Sequence, residues 1–422
     1  MLQLVFGRSG YGKTEYIRNR IADKIDRGET QVLLITPEQY SFISEYSLLE
    51  QLGEARVHAV RCLSFSRLCD ECDRLYGADG RKPLTKGGKA ILMKTAIEQV
   101  RPDLELFEKK GSSAAFVQSM TGIYDEMKSC NLSGAAVYAA ADDLDTDILR
   151  CKMRDFSRIM TAYEALLGDR FADPANRLTR LYDQIKDQNY FAGQTVFLDG
   201  FNGFVAQEYK ILERIIAEAK AVYIALDSDS FGTGDGYDLF AYVNETAGIL
   251  QRIADKAGVP TNALQLGENC RTDYADLRRV EQYIFADRAP ETEIPAEHIR
   301  LYAASTVTDA CNDLALQIKG LLRCGYRAGE IAVTMRDREK YAPVLASAFE
   351  KYGVPYYADE RQPVTAQPIL VFPMYLMRSV IYGWRSDDLF SLIKTGLTDV
   401  SDSPDLHLSL IHISEPTRPR LI

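Results

Sequence analysis

Nowhere does the chain of 422 residues approach the run of roughly 18 apolar residues that a membrane span needs. A charged and then apolar leader is missing from its start as well, so a cytoplasmic protein without membrane association is expected. Histidine is scarce. His58, His298, His407 and His412 are dispersed, and none joins Asp, Glu or Cys at the spacing of a metal site or a hydrolytic triad. Any chemistry is therefore expected to be phosphate chemistry. The eight cysteines, at 62, 69, 72, 130, 151, 270, 311 and 324, are too scattered for a disulfide framework. Cys69 and Cys72 have CxxC spacing, but they fall in a stretch that reads as helix, with no second pair nearby, so buried thiols are expected rather than a metal site. An excess of positive charge is lacking too. With 50 Lys and Arg against 60 Asp and Glu, the net charge is −10, which argues against a surface that coats nucleic acid throughout but leaves room for a local basic channel.

What is present begins at the first residues. The apolar run Leu4-Val5-Phe6 flows into Gly7-Arg8-Ser9-Gly10-Tyr11-Gly12-Lys13-Thr14, the GxxxxGK[ST] pattern of a nucleotide-binding P-loop. Gly7, Gly10 and Gly12 let consecutive backbone N–H groups turn toward a triphosphate, and Arg8, Ser9 and Tyr11 complete the loop that would wrap it. Lys13 supplies a point charge for the β- and γ-phosphates. Thr14 offers a hydroxyl to a phosphate-bound Mg²⁺, and the run from Glu15 to Ile21 forms the helix whose N-terminus faces the anion. The expected ligands are ATP and Mg²⁺.

The pattern along the chain is α/β. Gln31–Pro37 reads as a buried strand, Glu38–Leu52 as a helix, Val57–Val60 as a short strand, and Leu63–Phe65 as the entry to another helix ending near Gly77. From about Leu84 to Tyr190 helical periodicity takes over, and an all-helical insertion is expected there. Strand and helix alternation resumes with Gln194–Phe201, a helix over Ala206–Ala219 and the strand Ala221–Leu226. The acidic, glycine-rich stretch 227–236 lacks the alternating ligands of a calcium loop and reads as a solvated loop. A Pro/Glu-rich linker over Ala289–Glu297 precedes a second α/β unit, with strands at His298–Ala303, Ile331–Met335 and Val354–Tyr357 and helices at Thr308–Cys324 and Tyr341–Tyr352.

Asp199 closes an apolar strand, where a carboxylate reaches the Mg²⁺ shell from the carboxyl edge of a sheet. The residue after it is Gly200, where hydrolysing motors carry a Glu that orients the attacking water. Arg336 closes the strand Glu330–Arg336 of the second unit, in a position suited to a γ-phosphate contact that couples nucleotide state to domain closure.

The order of these parts resembles superfamily 1 helicases, and more closely the AddB family of subunits from bacterial AddAB helicase-nucleases, which process double-strand DNA breaks for recombination. The resemblance rests on Leu4–Thr14, Leu34–Phe42, Leu63–Leu68, Phe197–Phe201 and Glu330–Arg336 in that order. It implies a P-loop NTPase fold with a helicase-like domain 1A over residues 1–83 and 191–288, a helical insertion 1B over 84–190, and a partial second RecA-like domain 2A over 298–405. It also implies that Thr36 and Ser64 lie near single-stranded DNA, that an AddA motor subunit is the heterodimer partner, that DNA, single-stranded or as duplex ends, is the substrate, and that the Chi hotspot is scanned. Gly200, together with Asp227-Ser228-Asp229-Ser230 in place of a Gly-Asp-x-x-Gln motif, points to ATP binding without assured turnover. Whole family members carry a C-terminal nuclease domain and a cysteine-ligated iron–sulfur cluster; the cysteines here lack the spacing for that cluster. Residues 406–422 abandon the α/β pattern, and Leu408–Arg418 looks like the translation of a sequencing adapter, so a non-native tail is expected. Two alternatives are a stand-alone P-loop kinase or ATPase that does not act on DNA, and a structural adaptor with a vestigial loop.

Overall fold

In a computed structural model of the chain, short apolar runs and one polar edge strand pair side by side as one parallel sheet of six strands. The structure describes residues 1–77, 80–110, 113–229, 239–286, 290–291, 294–358, 364 and 367–398. The chain divides into two units, Met1–Arg300 and Leu301–Ile422.

The first unit opens with β1 (Leu2–Gly7), α1 (Lys13–Asp26), β2 (Val32–Ile35), α2 (Ser41–Leu52), the short α3 (Glu54–Val57), β3 (Val60–Leu63) and α4 (Phe65–Tyr76). A two-residue strand β4 (Lys82–Pro83) leads to α5 (Lys86–Val100), α6 (Ala114–Ser129), α7 (Gly134–Ala141) and α8 (Asp147–Leu167), then β5 (Phe171–Ala172) and α9 (Arg177–Ile185). The sheet resumes with β6 (Thr195–Leu198), α10 (Ala206–Glu218), β7 (Ala221–Asp227), α11 (Ala241–Lys256), β8 (Thr261–Gln265) and α12 (Ala275–Tyr283). The strand order is β3-β2-β6-β7-β1-β8, with every ladder parallel.

Strands buried on both faces read as continuous apolar runs, and alternate residues sort them into two cores. Leu4, Phe6, Leu33, Val196, Leu198 and Ile224 face α4, α9, α10 and α11. Leu34, Phe197, Tyr223 and Ala225 face Ile17 and Ile21 of α1 and Leu48 and Leu52 of α2. A separate core gathers Met93, Ile97, Met120, Tyr124, Phe156, Ile159 and Tyr163 from α5, α6 and α8.

Two expectations are corrected in the first unit. The strand expected at Val57–Val60 begins only at Val60, because Val57 ends α3 and Ala59 N–H closes a turn onto Arg56 O at 3.1 Å. The stretch 84–190 is not wholly helical: β5 pairs with β4, with Lys82 N–H on Arg170 O at 2.9 Å and Leu84 N–H on Ala172 O at 3.0 Å, where two backbones pass side by side. The strand β8 was not foreseen, since Thr-Asn-Ala-Leu-Gln carries no apolar run; it is an edge strand, exposed on its outer side, and needs none.

The second unit holds α13 (Val307–Arg323), α14 (Arg338–Tyr352), α15 (Pro368–Ile381) and α16 (Ser386–Ile393) among its described residues. Helices α13 and α14 share a core of Cys311, Ala315, Ile318, Leu345, Ala348 and Phe349. The strands expected at His298–Ala303, Ile331–Met335 and Val354–Tyr357 do not form among the described residues. These segments find no ladder partner, and Leu301 and Tyr357 stand 98% and 90% exposed. An extended segment gains nothing from its own backbone until a neighbour accepts its hydrogen bonds. No described helix is long and apolar enough to cross a membrane.

Candidate functional site

The turn from β1 into α1 is shaped by two glycines. Gly10 has φ +89° and Gly12 φ +78°, the left-handed region that side chains with a Cβ resist. Gly12 is the N-cap of α1 and no side chain caps that helix, so its first-turn N–H groups and positive dipole end are left for an anion. The loop is tied down by Tyr11 N–H on Arg8 O at 3.2 Å and Cys270 N–H on Gly10 O at 2.8 Å.

Around the loop lies a cavity of about 640 Å³, lined among others by Ser9, Lys13, Thr14, Asp199, Asp227 and Arg271. Lys13 is 9% exposed; its Nζ donates to Gly7 O at 2.7 Å and Arg8 O at 2.9 Å and pairs with Asp227 Oδ1 at 2.5 Å. Asp199 follows β6, and its N–H donates to Ile35 O at 3.2 Å. Burial raises the pKa of its carboxyl, with Asp227 adding to the rise, while the Thr14 hydroxyl, the Gly200 N–H and the Lys13 charge oppose it. A hydroxyl and carboxylates are hard oxygen donors of the kind Mg²⁺ takes, and the uncapped helix end suits phosphate, so this donor set fits a Mg²⁺-bound polyphosphate. Thr14 and Asp199 would hold the ion.

Gly200 explains its own identity. It has φ +83°, and a Cβ there would come within 3.3 Å of Pro37 Cδ. A glutamate cannot occupy this position without moving the Pro37 ring.

The side chains of Arg8 and Tyr11 reach from the loop to α12. Arg8 donates to the Glu281 and Gln282 carbonyls at 3.0 and 3.2 Å and pairs with Asp229 at 3.1 Å and Glu281 at 3.4 Å. It satisfies the orphan carbonyls at the end of α12. The Tyr11 hydroxyl donates to Glu281 Oε2 at 3.2 Å, and burial together with that carboxylate raises its pKa.

A second cavity, of about 570 Å³, lies between the carboxyl ends of β2 and β3 and the start of α5; Thr36, Ser64, Thr85, Lys86, Lys89 and Arg177 are among its walls. Thr36 and Phe201 line both cavities. The Thr36 hydroxyl is buried beside the Cys62 thiol without a hydrogen bond of ordinary geometry. Ser64 is the N-cap of α4, accepting from Arg67 N–H at 3.2 Å and donating to Glu38 Oε1 at 2.9 Å. Arg336 belongs to the second unit, where it is exposed beside α13 and α14.

Sequence reasoning missed Asp227 and Arg271. The rule that picked out Asp199, an acid at the carboxyl end of a strand, applies equally to Asp227, which lies opposite Gly7 in the β1–β7 register. Arg271 follows the polar edge strand and carries no comparable signal. Cys69 and Cys72 are buried on α4, where burial pushes their pKa values up to about 11 and about 12. Among the described residues no group of three or more His, Cys, Asp or Glu side chains is placed to hold a metal ion by itself. Most of the 227–236 loop, part of the 289–297 linker and the 406–422 tail lie outside the described residues.

The family model described as "ADDB, N-terminal" matches residues 4–281. The chain is similar to a protein of Clostridioides difficile (strain 630) named as the B subunit of an ATP-dependent helicase/deoxyribonuclease, 29% identical over 421 residues, covering 96% of this chain and 36% of that protein. A protein of the same name from Clostridium botulinum (strain Langeland) is 27% identical over 413 residues, covering 95% of the chain. Another, from Thermoanaerobacter sp. (strain X514), is 25% identical over 407 residues, covering 95%. The chain spans 35–36% of the length of these relatives.

Proposed function

This chain belongs to the family of ADDB N-terminal regions, and from that premise we propose that it is the helicase-like portion of the B subunit of an ATP-dependent helicase/deoxyribonuclease, binding ATP with Mg²⁺ and single-stranded DNA. The observation that carries the reading is the meeting of Lys13, Thr14, Asp199 and Arg271 around one cavity at the carboxyl edge of a parallel sheet. Backbone N–H groups of Gly7–Thr14 and the start of α1 bind the phosphates, with Lys13 as a point charge. The exposed Arg271, which makes no ion pair among the described residues, adds a second positive charge at the mouth. Bound Mg²⁺ supplies charge neutralisation. Arg336 enters this reading through its motif alone, and Arg8 and Tyr11 serve by fixing the loop to α12.

DNA is assigned to the second cavity, where Thr36, Ser64 and Lys86 line the walls and Thr36 adjoins both cavities. That shared wall offers a direct route between nucleotide and DNA. The constraint on Gly200 favours a protein that binds ATP to hold a conformation over one that hydrolyses it rapidly. The division into 1A, 1B and partial 2A, the AddA partner, the recombination role and Chi scanning extend the proposal from the family to the whole complex.

Lys13→Ala is the test. It abolishes ATP binding by calorimetry, while single-stranded DNA affinity of the unmodified chain falls steeply as salt rises. Unchanged ATP affinity in the variant overturns the nucleotide reading. Nucleotide-dependent phosphorylation of a small molecule without any DNA binding would favour a stand-alone kinase instead.

A further inference from the structure

Lys13 has no free proton to offer a ligand. An ammonium carries three N–H bonds, and Gly7 O, Arg8 O and Asp227 Oδ1 take them at 2.7, 2.9 and 2.5 Å. A phosphate oxygen that reaches Nζ must replace one of these acceptors. The two carbonyls are held by the backbone: Gly7 ends β1 in register with Asp227 and bridges to Ser228, and Arg8 O already accepts from Tyr11 N–H at 3.2 Å. Asp227 is different. Its side chain is 44% exposed and has no other hydrogen-bond partner among the described residues. The carboxylate is the acceptor free to leave.

Its departure changes the charge that a ligand meets. Asp199 already stands beside Lys13 and Asp227, so the cradle holds two carboxylates against one ammonium. Of the other charged groups lining the cavity, Arg18 is matched by Glu15 at 2.7 Å, which leaves Arg271 as the added cation. Once Asp227 is off Lys13, it faces the negative charge of the incoming polyphosphate. Without a metal that repulsion is uncompensated. With Mg²⁺ bound to the phosphates, the displaced carboxylate and Asp199 both face a dication.

We propose that Asp227 occupies the phosphate position at Lys13 in the ligand-free protein and thereby makes this site selective for metal-bound over metal-free polyphosphate. The inference rests on the nucleotide reading above and deepens it. Asp227 acts as a specificity-determining residue: the ligand displaces it, and its freed charge rejects any nucleotide that arrives without a cation.

The experiment is calorimetric titration of the full chain with ATP in excess EDTA and with ATP plus Mg²⁺, for the unmodified protein, Asp227→Asn, Asp227→Ala and Lys13→Ala. Both Asp227 variants should bind metal-free ATP about tenfold tighter, a small share of the Coulomb energy between charges a few ångströms apart. Their Mg²⁺-ATP affinity should change less than about threefold, because losing the competitor at Lys13 is offset by losing a carboxylate that faces the dication. Equal metal-free affinity in the unmodified and variant proteins overturns the inference and leaves the nucleotide site standing. Loss of Mg²⁺-ATP binding in Asp227→Asn overturns it too, since Asp227 would then belong to the bound complex. Binding that is insensitive to Lys13→Ala under both conditions removes the nucleotide reading and this inference together.

Discussion

Lys13 at the start of α1 and Lys89 in α5 are both buried among carboxylates, at 9% and 7% exposure, yet the two surroundings differ in what can move. Lys89 pairs with Asp173 at 2.8 Å and with Asp125, and its Nζ lies 5.1 Å from the centre of the Tyr124 ring. Asp173 is itself buried and fully committed, accepting from the Tyr163 hydroxyl at 2.6 Å and from Ala175 N–H at 2.9 Å. Burial, reinforced by that carboxylate, raises the Tyr163 pKa and keeps its proton in place as a donor. Lys13 leans on two backbone carbonyls and one half-exposed acid. Asp125 at Lys89 is as exposed as Asp227 at Lys13, so the difference lies in Asp173: a buried, fully bonded acid ties its lysine into a core, whereas a lysine with no buried acid can exchange its one carboxylate for a ligand.

The contrast is broken most directly at Lys89. Lys89→Ala leaves Asp173 buried without its cation and should cost about 3–5 kcal/mol in urea unfolding of the chain. A loss below about 1 kcal/mol would mean that water reaches Asp173 and that its burial does not bind Lys89 into the core. Gly200→Ala tests whether the rim of the cavity around Lys13 is as mobile as its acid. The added Cβ meets φ +83° and the Pro37 ring at 3.3 Å, so about 1–3 kcal/mol of destabilisation is expected in the same measurement. A neutral outcome would show the Pro37 turn yielding. Lys13→Ala should change stability least, by under about 1 kcal/mol, because Asp227 can turn to water when its partner goes. A thermal shift as large as that of Lys89→Ala would erase the distinction between the two lysines.

The four inner strands and the glycine turn were legible in the residues because each is a local signal. Apolar runs mark strands covered on both faces, and glycine marks the turn that a Cβ would spoil. The same apolar signal misled at Ile331–Met335, where the residues suit a strand but no described segment lies alongside to pair with it. It failed in the other direction at β8, where polar residues at a sheet edge pair with β1 through backbone bonds that composition does not report. In the site, Lys13, Thr14 and Asp199 follow from pattern and strand position. Arg8 lies inside the same pattern, but a carboxylate and two carbonyls from α12 turn it away from the cavity.

That β1 runs into a glycine loop and a helix, and that an acid follows β6, can be read from residue order alone, since spacing of a few residues is enough to set backbone conformation and helix register. Which charges meet depends on how the strands are laid side by side. Asp227 reaches Lys13 because β7 is laid beside β1, and a Cβ on Gly200 would crowd Pro37, which comes in from the neighbouring β2. Ion pairs and close contacts depend on distances between segments far apart along the chain, and those distances exist only once the sheet has fixed its strand order.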